Sequence, residues 1–477
     1  MELLKELASV VSKNKAKQIE IIGQEYTRES KIQKLYEAIQ ADHFNNEEEA
    51  AILFFPGSRY QKSNFNKLKR QLKKRLLNTL FFIDVNQPDF NDMQKAYYSC
   101  YKDFAALKIL KGRSATKAAL HLAEKILRKA QEFEFTDIAI NILTDLRGFY
   151  LAMGADLKKL NECSALLNEK MDLWRVELLA EEKYQNLAVH FVKSRATKAG
   201  LLDTAIGYSR ELEQYLGKYQ SPRFLLATYL VFSLRYQIVN DYENTLRVCK
   251  EAVKMFERKG KAVPKTNLLV FLNRIASCQI QLGYYAEGEQ TIRQCDALVE
   301  EGISNWFVVS EYHLILLFHS KQYQKAFAVF SKSFWHAGFK NLPAAHQERW
   351  KLYEAFIHFF IATGAIEPGL KESARLRKFR LRRFLNDVPE FAKDKQGANI
   401  TILILQILFL LQASKYDDAL PRLEALKAYS HRYLRKNDTF RSNCFIHMLL
   451  QVPKGYFNKK AVNRKAHKYV EKLKEMP

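Results

Sequence analysis

Apolar positions recur at three- and four-residue steps along most of the chain. In 65–83, Phe65, Leu68, Leu72, Leu76, Leu80 and Ile83 fall on one side of a helix, which predicts a buried face. Lys67, Arg70, Lys73 and Lys74 fall mainly on the other side, and Asn64 or Ser63 is the expected N-cap. The same spacing predicts helices at about 115–131, 136–152, 156–178, 201–216 and 223–239. No segment alternates apolar and polar residues long enough to predict a strand. Short breaks at 220–222, 259–264, 302–304, 341–343 and 387–397 predict loops. The most apolar run, 400–411, is too short to cross a bilayer and has Gln406 inside it, so a buried helix is expected. Only 17 glycines and 10 prolines in 477 residues leave little turn chemistry for a many-stranded sheet protein. The expected fold class is all-α.

From residue 223 the pattern repeats: a long apolar helix, a junction tyrosine, then a second amphipathic helix. One unit runs from Phe224 through Asn240 and Tyr242 to Phe256. The next runs from Leu268 through Gly283 and Tyr285 to Val299, and a third from Trp306 through Lys321 and Tyr323 to Trp335. After a diverged pair, another runs from Ile400 through Ser414 and Tyr416 to Tyr433. The junction tyrosines are 43, 38 and 93 residues apart. A helical hairpin cannot bury its own apolar face, so stacked neighbours must complete the core.

Ala276, Gly283, Tyr285, Gly288 and Cys295 follow the pattern of the tetratricopeptide repeat: a small residue in helix A, G-x-Y at the turn, small residues in helix B. Ser233, Asn240, Tyr242, Thr245 and Ala252 follow it more loosely. Tyr323 with Ala326 and Tyr416 with Ala419 keep the Y-x-x-A kernel. Over 223–335 and 400–434 the chain resembles a degenerate tetratricopeptide-repeat protein of bacterial type. Its unit spacing exceeds the family's usual repeat length, and the proline that usually ends helix B is mostly absent. The resemblance implies an α-solenoid of antiparallel helix pairs. In it, small residues allow close helix approach and each tyrosine wedges between hairpins. It implies degenerate hairpins over 1–220, repeats with a basic cap over 221–477, and a groove built from helix A residues. Tyr229, Arg235, Asn273 and Gln279 are the groove candidates that follow from it.

The formal net charge is +24, and its distribution says more than its size. Residues 59–75 hold eight basic and no acidic side chains, 371–383 hold seven and one, and 427–474 hold thirteen and two. The other 399 residues carry 48 basic and 49 acidic side chains. Three basic blocks on a neutral scaffold suit an acidic partner. The partner-binding candidates are Arg70, Lys73 and Lys74 in the first block. Arg377, Lys378, Arg380, Arg382 and Arg383 serve in the second, and Arg432, Arg435 and Lys436 in the third. The competing expectations are mundane. The first block can be a solvated helix face. The second can be neutralised by acidic helices of neighbouring repeats. In the third, Tyr433, Phe440 and Phe457 can pack the last hairpins while lysines solubilise the chain's end.

Catalytic signatures are absent: no Gly-rich phosphate loop, no H-E-x-x-H and no G-x-S-x-G. His313 and His319 lie six residues apart, on different sides of a helix, and are expected as core or interface residues. Cys100, Cys163, Cys249, Cys278, Cys295 and Cys444 form no CxxC pair. Reduced thiols are expected, with Cys278 and Cys295 packing as small hydrophobes. The N-terminus shows no signal-peptide core, so a cytoplasmic location is expected. No catalytic residue, cofactor or metal is expected.

The first functional expectation is a non-enzymatic interaction scaffold that holds an acidic protein or peptide in a helical-repeat groove. The second is low-specificity binding of RNA or DNA through the basic blocks, since cations interleaved with aromatics suit single strands. A peptide-responsive regulator is the third.

Overall fold

The computed structural model describes residues 30–475 apart from 42, 45, 58–60, 83, 85–90, 153, 155, 194–197, 377–378, 381–397 and 434–439. Among the described residues the chain is helical and contains no strand. It divides into two compact units, residues 1–175 and 176–477. The 220–222 turn lies within the second.

In the first unit, α1 (Lys31–Gln40), α2 (Glu47–Phe54) and α3 (Gln61–Leu80) share a small core of Ile32, Leu35, Ala50, Phe65, Leu68 and Leu72. The helix α3 starts at Gln61, so Ser63 and Asn64 lie inside it rather than capping it. Its buried face ends at Leu72: Leu76 and Leu80 are 38% and 56% exposed, and Phe81 and Phe82 are exposed as well. Ile83, the last member of the expected apolar stripe, lies outside the described residues. The rest of the stripe is present, but Leu76 and Leu80 in its second half are not core. The reason is length. At 1.5 Å per residue α3 is about 30 Å long, twice the length of α1 and more than twice that of α2, so its last turns outrun their cover.

A second core joins α4 (Asp92–Gly112), α5 (Thr116–Glu132), α6 (Thr136–Ala152) and the start of α7 (Leu157–Lys193). The helix α7 runs fifteen residues past its expected end at 178, because 179–193 contain neither glycine nor proline to stop it. In this core Asp145 is 3% exposed and accepts from Lys108 Nζ at 2.6 Å and Lys111 Nζ at 2.7 Å. Burial alone would raise its carboxyl pKa. The two ammonium hydrogen bonds outweigh that and hold it below the usual value.

The second unit begins within α7 and continues through α8 (Lys198–Glu213), α9 (Pro222–Gln237) and α10 (Tyr242–Lys259). There follow α11 (Lys265–Leu282), α12 (Tyr285–Asp296), α13 (Ser304–His319), α14 (Tyr323–Phe334) and α15 (Ala344–Ala362). Next come α16 (Leu370–Arg375), α17 (Ala398–Gln412), α18 (Tyr416–Tyr433), α19 (Phe440–Leu449), α20 (Gln451–Lys454) and α21 (Lys459–Glu475). Ser221 caps α9, its Oγ accepting from the Phe224 N–H, and Pro222 occupies the first helical position, where a missing N–H costs nothing. Consecutive helices from α8 to α15 pack against one another, as do α17, α18 and α19. The apolar helix α17 is buried through Ile402, Leu405 and Ile407. Among the described residues no helix is long and apolar enough to cross a membrane.

Among the described residues one turn recurs six times. Ser114, Glu134, Asn240, Gly283, Lys321 and Ser414 each have φ between 56° and 77°. In each case the next residue donates its N–H, at 2.8 to 3.0 Å, to the carbonyl five positions back, and the following helix starts one residue later. This left-handed closure satisfies an orphan carbonyl of the finished helix while reversing the chain. Each junction tyrosine, Tyr242, Tyr285, Tyr323 and Tyr416, is the first residue of its helix. The Tyr323 ring stacks on Phe360 at 4.2 Å, and the Tyr416 ring on Phe457 at 4.5 Å. Small residues occupy the expected close approaches. Ala252, Ala276, Cys295, Ala326 and Ala419 are at most 1% exposed. A Cβ on Gly288 would stand 2.6 Å from Leu316 Cδ1.

Two tests follow. Five of the six turns place a side chain where only glycine is unstrained, so Glu134→Gly and Lys321→Gly should each stabilise the chain by about 0.5–1 kcal/mol in urea denaturation. Asp145 is held low in the folded state, so its contribution is present above its unfolded pKa of 3.8 and is lost as pH falls below it. Denaturation of Asp145→Asn between pH 6 and pH 3 should show a flatter acid limb than the parent chain.

Candidate functional site

Most of the described part of the first basic block forms the exposed side of α3, and Arg59 lies outside the described residues. Phe65, Leu68 and Leu72 turn to the core, which sends Lys62, Lys67, Arg70, Lys73 and Lys74 to solvent. Glu47, at the start of α2, pairs with Lys69 at the edge of this face. Lys62, Lys67, Arg70 and Lys73 have no ion-pair partner among the described residues. Lysine stems can lie along apolar surface while their ammoniums stay in water, so a helix tolerates this face at low cost.

The described part of the second block borders a concavity of about 600 Å³ lined by Ser331, Lys332, Trp335, Lys371, Glu372 and Arg375. The Arg375 guanidinium lies over the Trp335 ring at 5.6 Å. Lys332 is neutralised by Glu301 at 2.7 Å. Arg380 is exposed. In the third block, Phe457 packs under Tyr416, and Tyr469 stacks on His447 at 5.4 Å, so these aromatics hold helices together. Tyr456 differs: it is 90% exposed, between Lys454 and the exposed Lys459 and Lys460. Arg377, Lys378, Arg382, Arg383, Arg435 and Lys436 lie outside the described residues, and of Arg432 only the backbone is described.

The groove candidates separate. Tyr229 is 8% exposed and packs edge-on against Phe232 and Phe271. Gln279 is 4% exposed. Neither presents a side chain to a ligand. A helix hydrophobic on all sides is a buried helix, and α9 is one. Arg235 is half-buried over Tyr236 at 5.1 Å, and Asn273 is half-buried.

Sequence reasoning missed a polar ladder that links the first helices of successive hairpins. Arg274 of α11 donates from Nη1 to Ser233 Oγ at 3.0 Å and Gln237 Oε1 at 2.8 Å, both on α9. Glu311 of α13 is 7% exposed and accepts from Arg349 Nη1 at 3.1 Å and Tyr353 Oη at 2.8 Å, both on α15. Burial pushes the Tyr353 phenol well above its usual pKa, and the Glu311 carboxylate adds to this. Burial likewise raises Tyr312, with Glu311 adding to the rise and Arg274 and Arg349 opposing it. The partners are 37 to 42 residues apart, one hairpin away, so local spacing carries no signal of them.

All six cysteines are free and buried. Burial pushes the Cys249 and Cys295 thiols up to about 12, which leaves them protonated and unreactive. His313 is half-buried, and burial holds its imidazole below the usual pKa. Among the described residues no group of three or more His, Cys, Asp or Glu could hold a metal ion. No protein-family model, curated protein or solved structure matches this chain.

Removing the Glu311 carboxylate leaves Arg349 and Tyr353 without their acceptor. Glu311→Ala should cost about 1–3 kcal/mol in urea denaturation. Combined with Arg349→Met, the loss should be smaller than the sum of the two single losses.

Proposed function

We propose that this chain is an interaction scaffold of the tetratricopeptide-repeat-like α-solenoid type, which holds an acidic protein or peptide partner. The observation that carries the reading is the α3 face, where Lys62, Lys67, Arg70 and Lys73 stand in solvent without anionic partners among the described residues. Surface helices usually interleave signs and gain from the pairs, so an unmatched face is an electrostatic surplus that an acidic partner can use. The repeat part of the reading is supported by the six identical turns, the four helix-starting tyrosines and the close approach at Gly288. Recognition then rests on exposed cationic faces, with the half-buried Arg235 and Asn273 as the groove positions still open to contact. A second reading, single-stranded nucleic acid, is favoured by Tyr456, an exposed ring flanked by lysines on which a base can stack.

Fluorescence anisotropy with a labelled oligoglutamate peptide tests the first reading, and a labelled oligouridine tests the second. The triple variant Lys67→Glu, Arg70→Glu, Lys73→Glu should weaken peptide binding by about tenfold or more. Unchanged peptide affinity would overturn the assignment to α3. The nucleic-acid reading instead requires RNA affinity that falls steeply with salt and drops on Tyr456→Ala.

A further inference from the structure

The two walls of one cleft in the C-terminal hairpins carry apolar and cationic side chains together. On α18, Leu420, Glu424, Lys427 and His431 follow each other at three- and four-residue steps and so share one side of the helix. Facing them are His447 of α19, Leu450 at the junction, and Pro453 and Lys454 of α20. The space between has a volume of about 510 Å³, within the range of small-molecule sites. The helix α21 packs on α19 and α20.

The cleft is built rather than incidental. Its floor is apolar: Leu423 is 1% exposed, with Leu420, Leu450 and Pro453 around it. At one place the walls are tied together, Ser430 Oγ donating to Asn443 Oδ1 at 3.4 Å. The His447 ring is oriented by its stack on Tyr469, at 5.4 Å and 15°. Buried Gln451 donates from Nε2 to the His447 carbonyl at 2.9 Å. The Ser430–Asn443 bond ties α18 to α19, and the other two contacts hold the His447 wall in place, so part of the ordering precedes any ligand.

Charge selects the occupant. Lys427 and Lys454 line the cleft, and neither has an ion-pair partner among the described residues. Glu424 is the one carboxylate in the lining. Two ammoniums against one carboxylate, beside a leucine floor, match a molecule with an apolar body and one anionic end. We propose that this cleft binds a small amphiphilic anion, its apolar body on Leu420, Leu423, Leu450 and Pro453, its anionic head at Lys427 and Lys454. This site is independent of the α3 face, and either assignment can fail alone.

The test uses the full chain and anilinonaphthalene sulfonate, whose fluorescence rises in apolar sites. Octanoate and octanol then compete for it. Octanoate should displace the probe at concentrations about tenfold lower than octanol, because only it carries the head group. Lys427→Gln with Lys454→Gln should erase that difference. Leu420→Gln, at a position 37% exposed and hence tolerant of substitution, should weaken displacement by both. Circular dichroism confirms that the variants keep their helices. Equal displacement by octanoate and octanol in the parent chain would overturn the anionic part of the proposal. Probe binding unchanged in Leu420→Gln and in the double lysine variant would overturn the site itself.

Discussion

An amphipathic hairpin of two helices has more apolar surface than it can cover by folding back on itself. Burial of that surface, about 25 cal/mol per Å², is the main term favouring the folded chain. Each hairpin in the second unit therefore depends on the next. The largest buried cluster accordingly runs through helices from α7 to α15, from Val176 to Ile366, with smaller clusters around Trp306 and around Leu352 beside it. The recurring left-handed turn serves this dependence. It reverses the chain within two residues, so that two helices of a hairpin emerge side by side, and it satisfies a carbonyl that would otherwise be buried without a partner. Side chains as different as Glu134, Asn240 and Lys321 accept the strain of that conformation, because geometry at the junction matters more to the stack than local comfort does.

The same dependence explains where polarity appears inside. Helices that must approach closely use alanine, cysteine and, at Gly288, no side chain at all. Where the first helices of successive hairpins meet, the residues are instead Arg274 with Ser233 and Gln237, and Glu311 with Arg349 and Tyr353. Such bonds add modest net stability but penalise wrong stacking, since a shifted neighbour would leave a buried carboxylate without donors. Two buried acids are engaged by nearby bases, Asp145 by Lys108 and Lys111 and Glu311 by Arg349, while buried Glu177 accepts from the Ser221 hydroxyl at 2.5 Å. Lys62, Lys67, Arg70 and Lys73 of α3, unmatched among the described residues, and the lysines lining the cleft beside α18 belong to the surface.

Much of the architecture was legible in the chain itself. Helix positions at 136–152 and 223–239 follow from three- and four-residue apolar spacing, because burial of one face is a local pattern. The junction tyrosines and small residues were legible for a similar reason: they sit at fixed offsets within one hairpin. The lost half of the α3 stripe was not. Leu76 and Leu80 have the spacing of core residues, and only the shortness of α1 and α2 leaves them uncovered. The site residues divide in the same way. Exposure of Arg70 and Lys73 could be read from the helical wheel. Burial of Tyr229 and Gln279 depends on neighbours on other helices.

The sequence by itself determined an all-helical chain, the hairpin as its unit, and three concentrated blocks of positive charge. Each of these depends on spacing or composition within a few turns of helix. Tertiary structure alone decided which cations keep acidic partners, which aromatics brace helices and which meet water, and where a cleft opens between α18 and its neighbours. Those outcomes depend on side chains a hairpin or more apart in sequence. The physical reason is that burial and ion pairing act between surfaces, and a surface exists only after the helices that form it have packed.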